Sequence, residues 1–276
     1  MSVITLTTDF GTKDHFIGSV KGALYSEISN VNIVDISNEI SPFNIIEGAY
    51  IIENSYKNFP EGSIHIIGVD SEKTPEKKHL VIKLDGHFFI CADNGIMSLI
   101  ANKIKPEKII EINIHNSSTS SFTVLDVFVK VAAHIYRGGS IDLVGKKINQ
   151  LKELYDINPI LNEKNKEIIG NVLYIDNYEN IITNISKLVF EEFGKSRPFI
   201  INARNFQFNS IVNSYSNSIK FDVKKELRKE AGKKIALFNK ANLLELAIYK
   251  SNGLITGGAS SLFGLKFRDV VTIKFN

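Results

Sequence analysis

Apolar and polar positions switch repeatedly between a period of two and a period near 3.6 along the first half of the chain. Residues 3–7 read as a buried strand, and residues 16–27 place Ile17, Val20 and Leu24 at helical spacing, with Gly18 and Gly22 small enough for close packing. The alternation continues with a strand at 31–36, a helix at 45–56 after the Ser41-Pro42 turn, and a strand at 63–69 after Phe59-Pro60-Glu61-Gly62. Strands at 79–84 and 87–91 flank Asp85-Gly86, a hairpin signal. A short helix from 96 to 101, a strand at 109–114 and a helix at 125–136 follow. Strand–helix alternation of this kind predicts an α/β N-terminal domain, residues 1–155, with a mainly parallel sheet.

The second half has a different rhythm. The stretch 151–166 is rich in Asn, Lys and Glu and contains Pro159, so residues 156–167 read as a linker. Beyond it lie short strand-like runs at 170–175, 198–203, 218–222, 234–239, 243–248 and 270–275, with helical pattern only at 188–193. Short strands punctuated by Asn, Gly and Ser predict an all-β, barrel-like C-terminal domain, residues 168–276. No internal repeat is visible, and the Asn/Ser-rich segment 213–218 reads as a loop.

Composition narrows the function classes. The chain has 276 residues, 43% of them hydrophobic and 23% charged, enough for two modest domains with their own cores. The net charge of +3 is scattered, without the basic stripe and interleaved aromatics of a nucleic-acid groove, so no nucleic-acid partner is expected. A single cysteine, Cys91, rules out an internal disulfide and suggests a reducing compartment. No signal-peptide pattern follows Met1, and no apolar run approaches the ~20 residues that span a bilayer. A cytoplasmic location without a membrane partner is the expectation.

The candidate chemistry lies where strands end. In a parallel α/β sheet, ligands bind beyond the carboxyl ends of the strands. The first strand runs into Thr7-Thr8-Asp9, with Gly11 to permit a tight turn and Asp14 placed to cap the following helix. The third runs into Asp70-Ser71-Glu72-Lys73-Thr74, and the strand at 87–91 into Asp93-Asn94-Gly95. Three polar strand ends in one sheet converge on one cleft, and an Asp at such an end can accept ribose hydroxyls. A capping turn without a ligand would explain Asp9 to Asp14 equally well. There is no GxGxxG after the first strand, no Walker loop, no GxSxG and no HExxH. The lack of a phosphate cradle suggests a nucleoside-type ligand without polyphosphate. His15, His65, His79, His87, His115 and His134 lack metal-ligand spacing and read as surface or packing residues, and Cys91 reads as core.

In order along the chain, "TTDFGTKDHFIGSVKGALY", "NIVDISNEISPFNIIEGAYII", "FPEGSIHIIGVD", "ADNGIMS", "IDNYENIITNIS" and "LLELAI" resemble the S-adenosylmethionine hydroxide adenosyltransferase family, which is related to fluorinating and chlorinating enzymes. The resemblance implies an α/β domain followed by a β-barrel domain. It implies S-adenosylmethionine as substrate and adenosine as product, with no cofactor and no metal. It also implies a homotrimer whose sites form between one subunit's N-terminal domain and its neighbour's C-terminal domain. By position it gives Asp9 the ribose hydroxyls, Asp14 the methionine portion and Phe43 the nucleoside, with Asn94 at a neighbouring strand end. Asp176 and Asn180 would hold the methionine and adenine ends, and the backbone near Tyr249 and Lys250 would meet adenine. Read without the resemblance, residues 176–180 are a hairpin turn.

Hydrolytic members of that family orient water with an Asp–Arg–His trio. The Asp is Asp70; the Arg position, seven residues on, is Lys77, with Lys78 an alternative; the His position falls on Thr123. Nearby, a family Arg is replaced by Leu125, and the usual Pro-Gly after the Asp is Ser71-Glu72. Lysine lacks the bidentate fork of arginine, and threonine is no base near neutral pH. The residues therefore fit a divergent hydrolase, a protein that binds the ligand without turnover, or a halide adenosyltransferase. The last is disfavoured because Val124 stands where a halide-contacting hydroxyl is expected.

Overall fold

The computed structural model describes residues 2–101, 104–114, 122–154, 158–228, 230, 232–253 and 255–276. The chain divides into two compact units, Met1–Leu154 and Tyr155–Asn276.

The first unit is α/β. Its elements are β1 (Val3–Thr8), α1 (Phe16–Glu27), β2 (Asn32–Ser37), α2 (Ile45–Glu53), β3 (Ile64–Gly68), β4 (His79–Leu84), β5 (His87–Ala92), α3 (Ile96–Ile100), β6 (Lys108–Ile112), α4 (Val129–Tyr136) and β7 (Gly145–Lys147). They build one sheet in the order β2-β1-β3-β5-β4-β6-β7. The β2-β1-β3-β5 half is parallel, and β4, β6 and β7 join antiparallel. A sheet covered on both faces needs strands apolar on both faces, and β3 is buried along its whole length. Ile4, Leu6, Ile64 and Ile66 pack against Ile17, Val20 and Leu24 of α1 and the apolar side of α4. Ile67, Leu80, Ile82, Phe89 and Cys91 pack with Ala49 and Ile52 of α2 and with α3. Asp85 and Gly86 both have positive φ, 52° and 76°, as the two-residue turn of the β4–β5 hairpin demands. Cys91 is buried, which pushes its thiol pKa up and holds it as a poor nucleophile.

The second unit is an antiparallel, barrel-like sheet. Its elements are β8 (Ile160–Asn162), β9 (Glu167–Ile175), β10 (Ile181–Ser186), α5 (Lys187–Gly194), β11 (Phe199–Ala203), β12 (Phe206–Phe208), β13 (Lys234–Phe238), β14 (Leu243–Ile248), α6 (Ala259–Phe263) and β15 (Val270–Phe275). The order is β12-β11-β15-β9-β10-β14-β13, with β8 paired to β9. Inward residues such as Ile168, Val172, Leu244, Leu246, Val271 and Ile273 form its core.

Several local expectations differ from the structure. The span 156–167 contains β8 and the start of β9, because the apolar Ile160 and Leu161 can add to a sheet edge despite the polar context. No strand forms at 218–222. A 3₁₀ turn, Ser216–Ser218, takes its place, since Ser214, Asn217 and Ser218 side chains bond one another and the local backbone. Helix α2 stops at Glu53, where Asn54 and Ser55 side chains bond the carbonyls of Tyr50 and Ile51. The helix expected at 125–136 opens with a π turn, Val124–Phe128, before α4. Of the histidines read as surface or packing residues, His65, His79 and His87 are packing residues, buried and hydrogen-bonded; His115 lies outside the described residues.

Candidate functional site

Asp9 ties the strand ends of the first unit together. Its Oδ2 accepts the backbone N–H of Phe43, at 2.9 Å, and of Asp70, at 3.2 Å. One carboxylate oxygen thus joins the end of β1, the β2–α2 loop and the end of β3. Phe43 and Asp70 both have left-handed backbones, with φ of 62° and 44°. Such conformations cost energy for non-glycine residues and cluster at ligand sites. The β1 end is held further by Gly11 N–H to the Asn38 carbonyl, at 2.7 Å, and Thr8 Oγ1 to Asn38 Oδ1, at 3.0 Å. Among the described residues, Asp9 Oδ1 accepts no hydrogen bond, which leaves it open to a ligand hydroxyl. The Phe43 side chain is 73% exposed, an unusual state for a phenyl ring on a strained backbone and one suited to covering an aromatic ligand.

The end of β3 carries the charged pair. Lys77 Nζ lies 2.5 Å from Asp70 Oδ1, and both side chains are partly buried. The reach comes from a tight turn: Thr74 and Lys77 exchange backbone hydrogen bonds, and Thr74 Oγ1 accepts Lys77 N–H at 3.0 Å. Lys78 points elsewhere and pairs with Glu111 at 2.7 Å. Of the two lysines, Lys77 is therefore the one beside Asp70.

Other candidates take different places. Thr123 Oγ1 donates to the Ser71 carbonyl at 3.0 Å, so it braces the residue after Asp70 instead of meeting the Asp70 carboxylate. Asn94 is buried, and its amide donates to the carbonyls of Val69, at 2.9 Å, and Asp70, at 3.3 Å. Its Oδ1 accepts Ile96 N–H at 3.1 Å. With both amide hydrogens engaged, Asn94 is scaffold that fastens β3 to α3. Asp14 is exposed, and His15, the N-cap residue before α1, makes no side-chain cap, so the capping expected of Asp14 is not made.

In the second unit, the candidates Asp176 and Asn180 lie in the β9–β10 turn. Asp176 Oδ1 accepts the N–H groups of Tyr178, at 2.9 Å, and Asn180, at 2.8 Å, while Asn180 Nδ2 donates to Asp176 Oδ2 at 2.9 Å. These contacts make residues 176–180 a closed hairpin turn that holds Asp176 and Asn180 in one orientation. Glu179, in the same turn, is a residue that sequence reasoning missed. It has a left-handed backbone, φ 61°, and its carboxylate accepts Gly258 N–H at 2.6 Å and the Ser261 hydroxyl. Those hydrogen bonds, the Ser261 hydroxyl first, lower its pKa. A Cβ on Gly258 would overlap Glu179 and the Tyr178 carbonyl, which is why glycine is needed there. The Tyr249 N–H is taken by the Lys233 carbonyl at 2.9 Å, and Lys250 Nζ lies 5.3 Å over the Tyr249 ring. Among the described residues, no group of three or more His, Cys, Asp or Glu side chains could hold a metal, and no helix is long and apolar enough to cross a membrane.

The family comparison fits both units. The SAM hydroxide adenosyltransferase N-terminal domain matches residues 4–145, and the C-terminal domain of the same family matches residues 170–272. The chain belongs to the SAM hydroxide adenosyltransferase family. A family relative, the (R)-S-adenosyl-L-methionine hydrolase of Methanocaldococcus jannaschii, is 34% identical over 193 residues, 68% of each chain. A fluorinase of Nocardia brasiliensis is 20% identical over 222 residues, 70% of this chain and 74% of its own. The family fold is shared with an uncharacterized conserved protein from Thermotoga maritima, whose crystal structure superposes with a TM-score of 0.81 at 23% identity, covering 99% of this chain and 100% of that one.

Proposed function

We propose that the protein hydrolyses S-adenosylmethionine to adenosine and methionine. The observation that carries this is the Asp70–Lys77 pair at 2.5 Å, fixed on a left-handed strand end whose N–H is bound by Asp9. In the proposed reaction a water oxygen bonds to the ribose C5′ as the C5′–S bond breaks. The bonding pair leaves on sulfur, giving neutral methionine, and the water's proton passes to solvent by way of the Asp70 carboxylate. A sulfonium needs no acid to leave, so the protein's tasks are alignment, desolvation and orientation of water. Asp9 would hold the ribose through Oδ1, Phe43 would cover the nucleoside, and Lys77 would hold the Asp70 carboxylate in place. Asp14 would face the methionine portion. The hairpin residues Asp176 and Asn180 and the backbone at Tyr249 and Lys250 would close the site from a second subunit.

Incubation with S-adenosylmethionine followed by chromatography tests the proposal. Adenosine and methionine in equal amounts support it. Unchanged substrate with measurable binding would make the protein a binder, and a 5′-haloadenosine would make it a halide adenosyltransferase.

Two further outcomes are expected. Asp9→Ala weakens adenosine binding by more than ~1.5 kcal/mol, the scale of a hydrogen bond to a charged acceptor; calorimetry that returns wild-type affinity would remove Asp9 from the ribose site. Light scattering at micromolar concentration should report three chains of 30.9 kDa each. A monomer would leave the candidate groups of the two units without the neighbour that the shared site requires.

A further inference from the structure

Three consecutive carbonyls at the end of β3 are held by side chains. Asn94 takes those of Val69 and Asp70. The third, on Ser71, accepts two hydrogen bonds: from Thr123 Oγ1 at 3.0 Å and from His79 Nε2 at 2.9 Å. A carbonyl has two lone pairs, and both are used here. His79 is the first residue of β4, two positions after Lys77, with a side chain that is 0% exposed and a ring set edge-on to Phe128 at 4.8 Å. A packed imidazole donates in one fixed direction, whereas the threonine hydroxyl can rotate away.

Resting on the hydrolase proposal, we infer that His79 is a positioning residue for Asp70. Thr123 stands where the resemblance puts a histidine, and His79 reaches from β4 to the carbonyl that Thr123 binds. With Thr123 it clamps the peptide that follows the strained Asp70 backbone, φ 44°, and so keeps the Asp70 carboxylate against Lys77. Being buried, His79 does not touch the ligand. It acts through Ser71. Because a carbonyl can only accept, Nε2 must carry a proton.

The test compares wild type with His79→Leu and His79→Gln for adenosine formation from S-adenosylmethionine, adenosine affinity by calorimetry and thermal melting. His79→Leu should lower kcat by about 10- to 100-fold, the scale of a displaced reacting group, with adenosine affinity unchanged. His79→Gln keeps a donor and should recover part of the rate. In the wild type, ¹⁵N NMR should show the Nε2 of His79 protonated. A His79→Leu enzyme as fast as wild type would overturn the inference. So would parallel losses of kcat and adenosine affinity, or a bare Nε2, which needs no variant to detect. Wild type that leaves S-adenosylmethionine intact in the same assay would instead overturn the hydrolase proposal, and the positioning role with it.

Discussion

Asp70→Asn lowers the rate of adenosine formation by about 10²- to 10⁴-fold, the span that general-base assistance supplies, while adenosine affinity stays close to wild type. The amide keeps the size and the left-handed tolerance of the aspartate, so the backbone can hold φ 44° and its N–H can still reach Asp9. What it loses is charge. It can neither take a proton from water nor pair with Lys77, whose ammonium would then sit partly buried and unpaired. Single-turnover chromatography reads the rate and calorimetry reads binding. Wild type itself should be slow beside a relative with a complete Asp–Arg–His trio. Lys77 offers one point charge where arginine offers a fork, and Thr123 spends its hydroxyl on Ser71. Lys77→Arg combined with Thr123→His should raise the rate. If Asp70→Asn turned over as fast as wild type, the water would be oriented elsewhere, and the hydroxyl-rich segment 117–121 would be the next place to look.

What could be seen in the sequence was local. β1, α1 and the β4–β5 hairpin follow from short-range pattern: apolar runs, helical spacing and Asp85-Gly86 with its two positive φ angles. The convergence of strand ends follows from the rule for parallel sheets, and Asp9, Asp70 and Asn94 do meet there. The division of labour among them was not visible, because it depends on which lone pair meets which N–H. Asn94 reads as a ligand-facing polar residue, yet burial commits its whole amide to the backbone. His79 reads as packing, since nothing in its neighbours announces that β4 begins opposite the Ser71 carbonyl. Glu179 is invisible for the same reason: its partners, Gly258 and Ser261, lie about eighty positions away. β8 and the irregular 218–222 segment went the other way. A sheet edge can recruit two apolar residues from a polar stretch, and serine and asparagine side chains can outbid a strand for their own backbone.

Acid should destabilise the first unit through a pair of histidines remote from the strand-end site. Thr5 Oγ1 is joined to His65 Nδ1 at 2.7 Å, and His65 Nε2 to His87 Nδ1 at 3.1 Å. Tyr56 lies edge-on to both rings and donates to Asp85 at 3.2 Å. Burial, and then His87, lowers the His65 pKa from 6.5 to about 3; burial lowers that of His87 as well, against the pull of Asp85 and Glu61. Burial, and then Asp85, pushes Tyr56 up to about 12, so the phenol stays neutral beside them. A histidine whose folded pKa lies below its unfolded value binds fewer protons in the folded state. Its contribution is complete above pH 6.5 and is lost as pH falls toward 3. At ~1.4 kcal/mol per pH unit, lowering the pH from 6.5 to 5 should remove about 2 kcal/mol, and the full window about 4 kcal/mol. Hydrogen exchange at the amides of β1 and β3, followed at pH 6.5 and 5, separates this opening from any change in the second unit. His65→Gln cannot titrate and should flatten the dependence even if its stability at neutral pH is lower. An equally steep loss in His65→Gln would place the acid sensitivity in other groups.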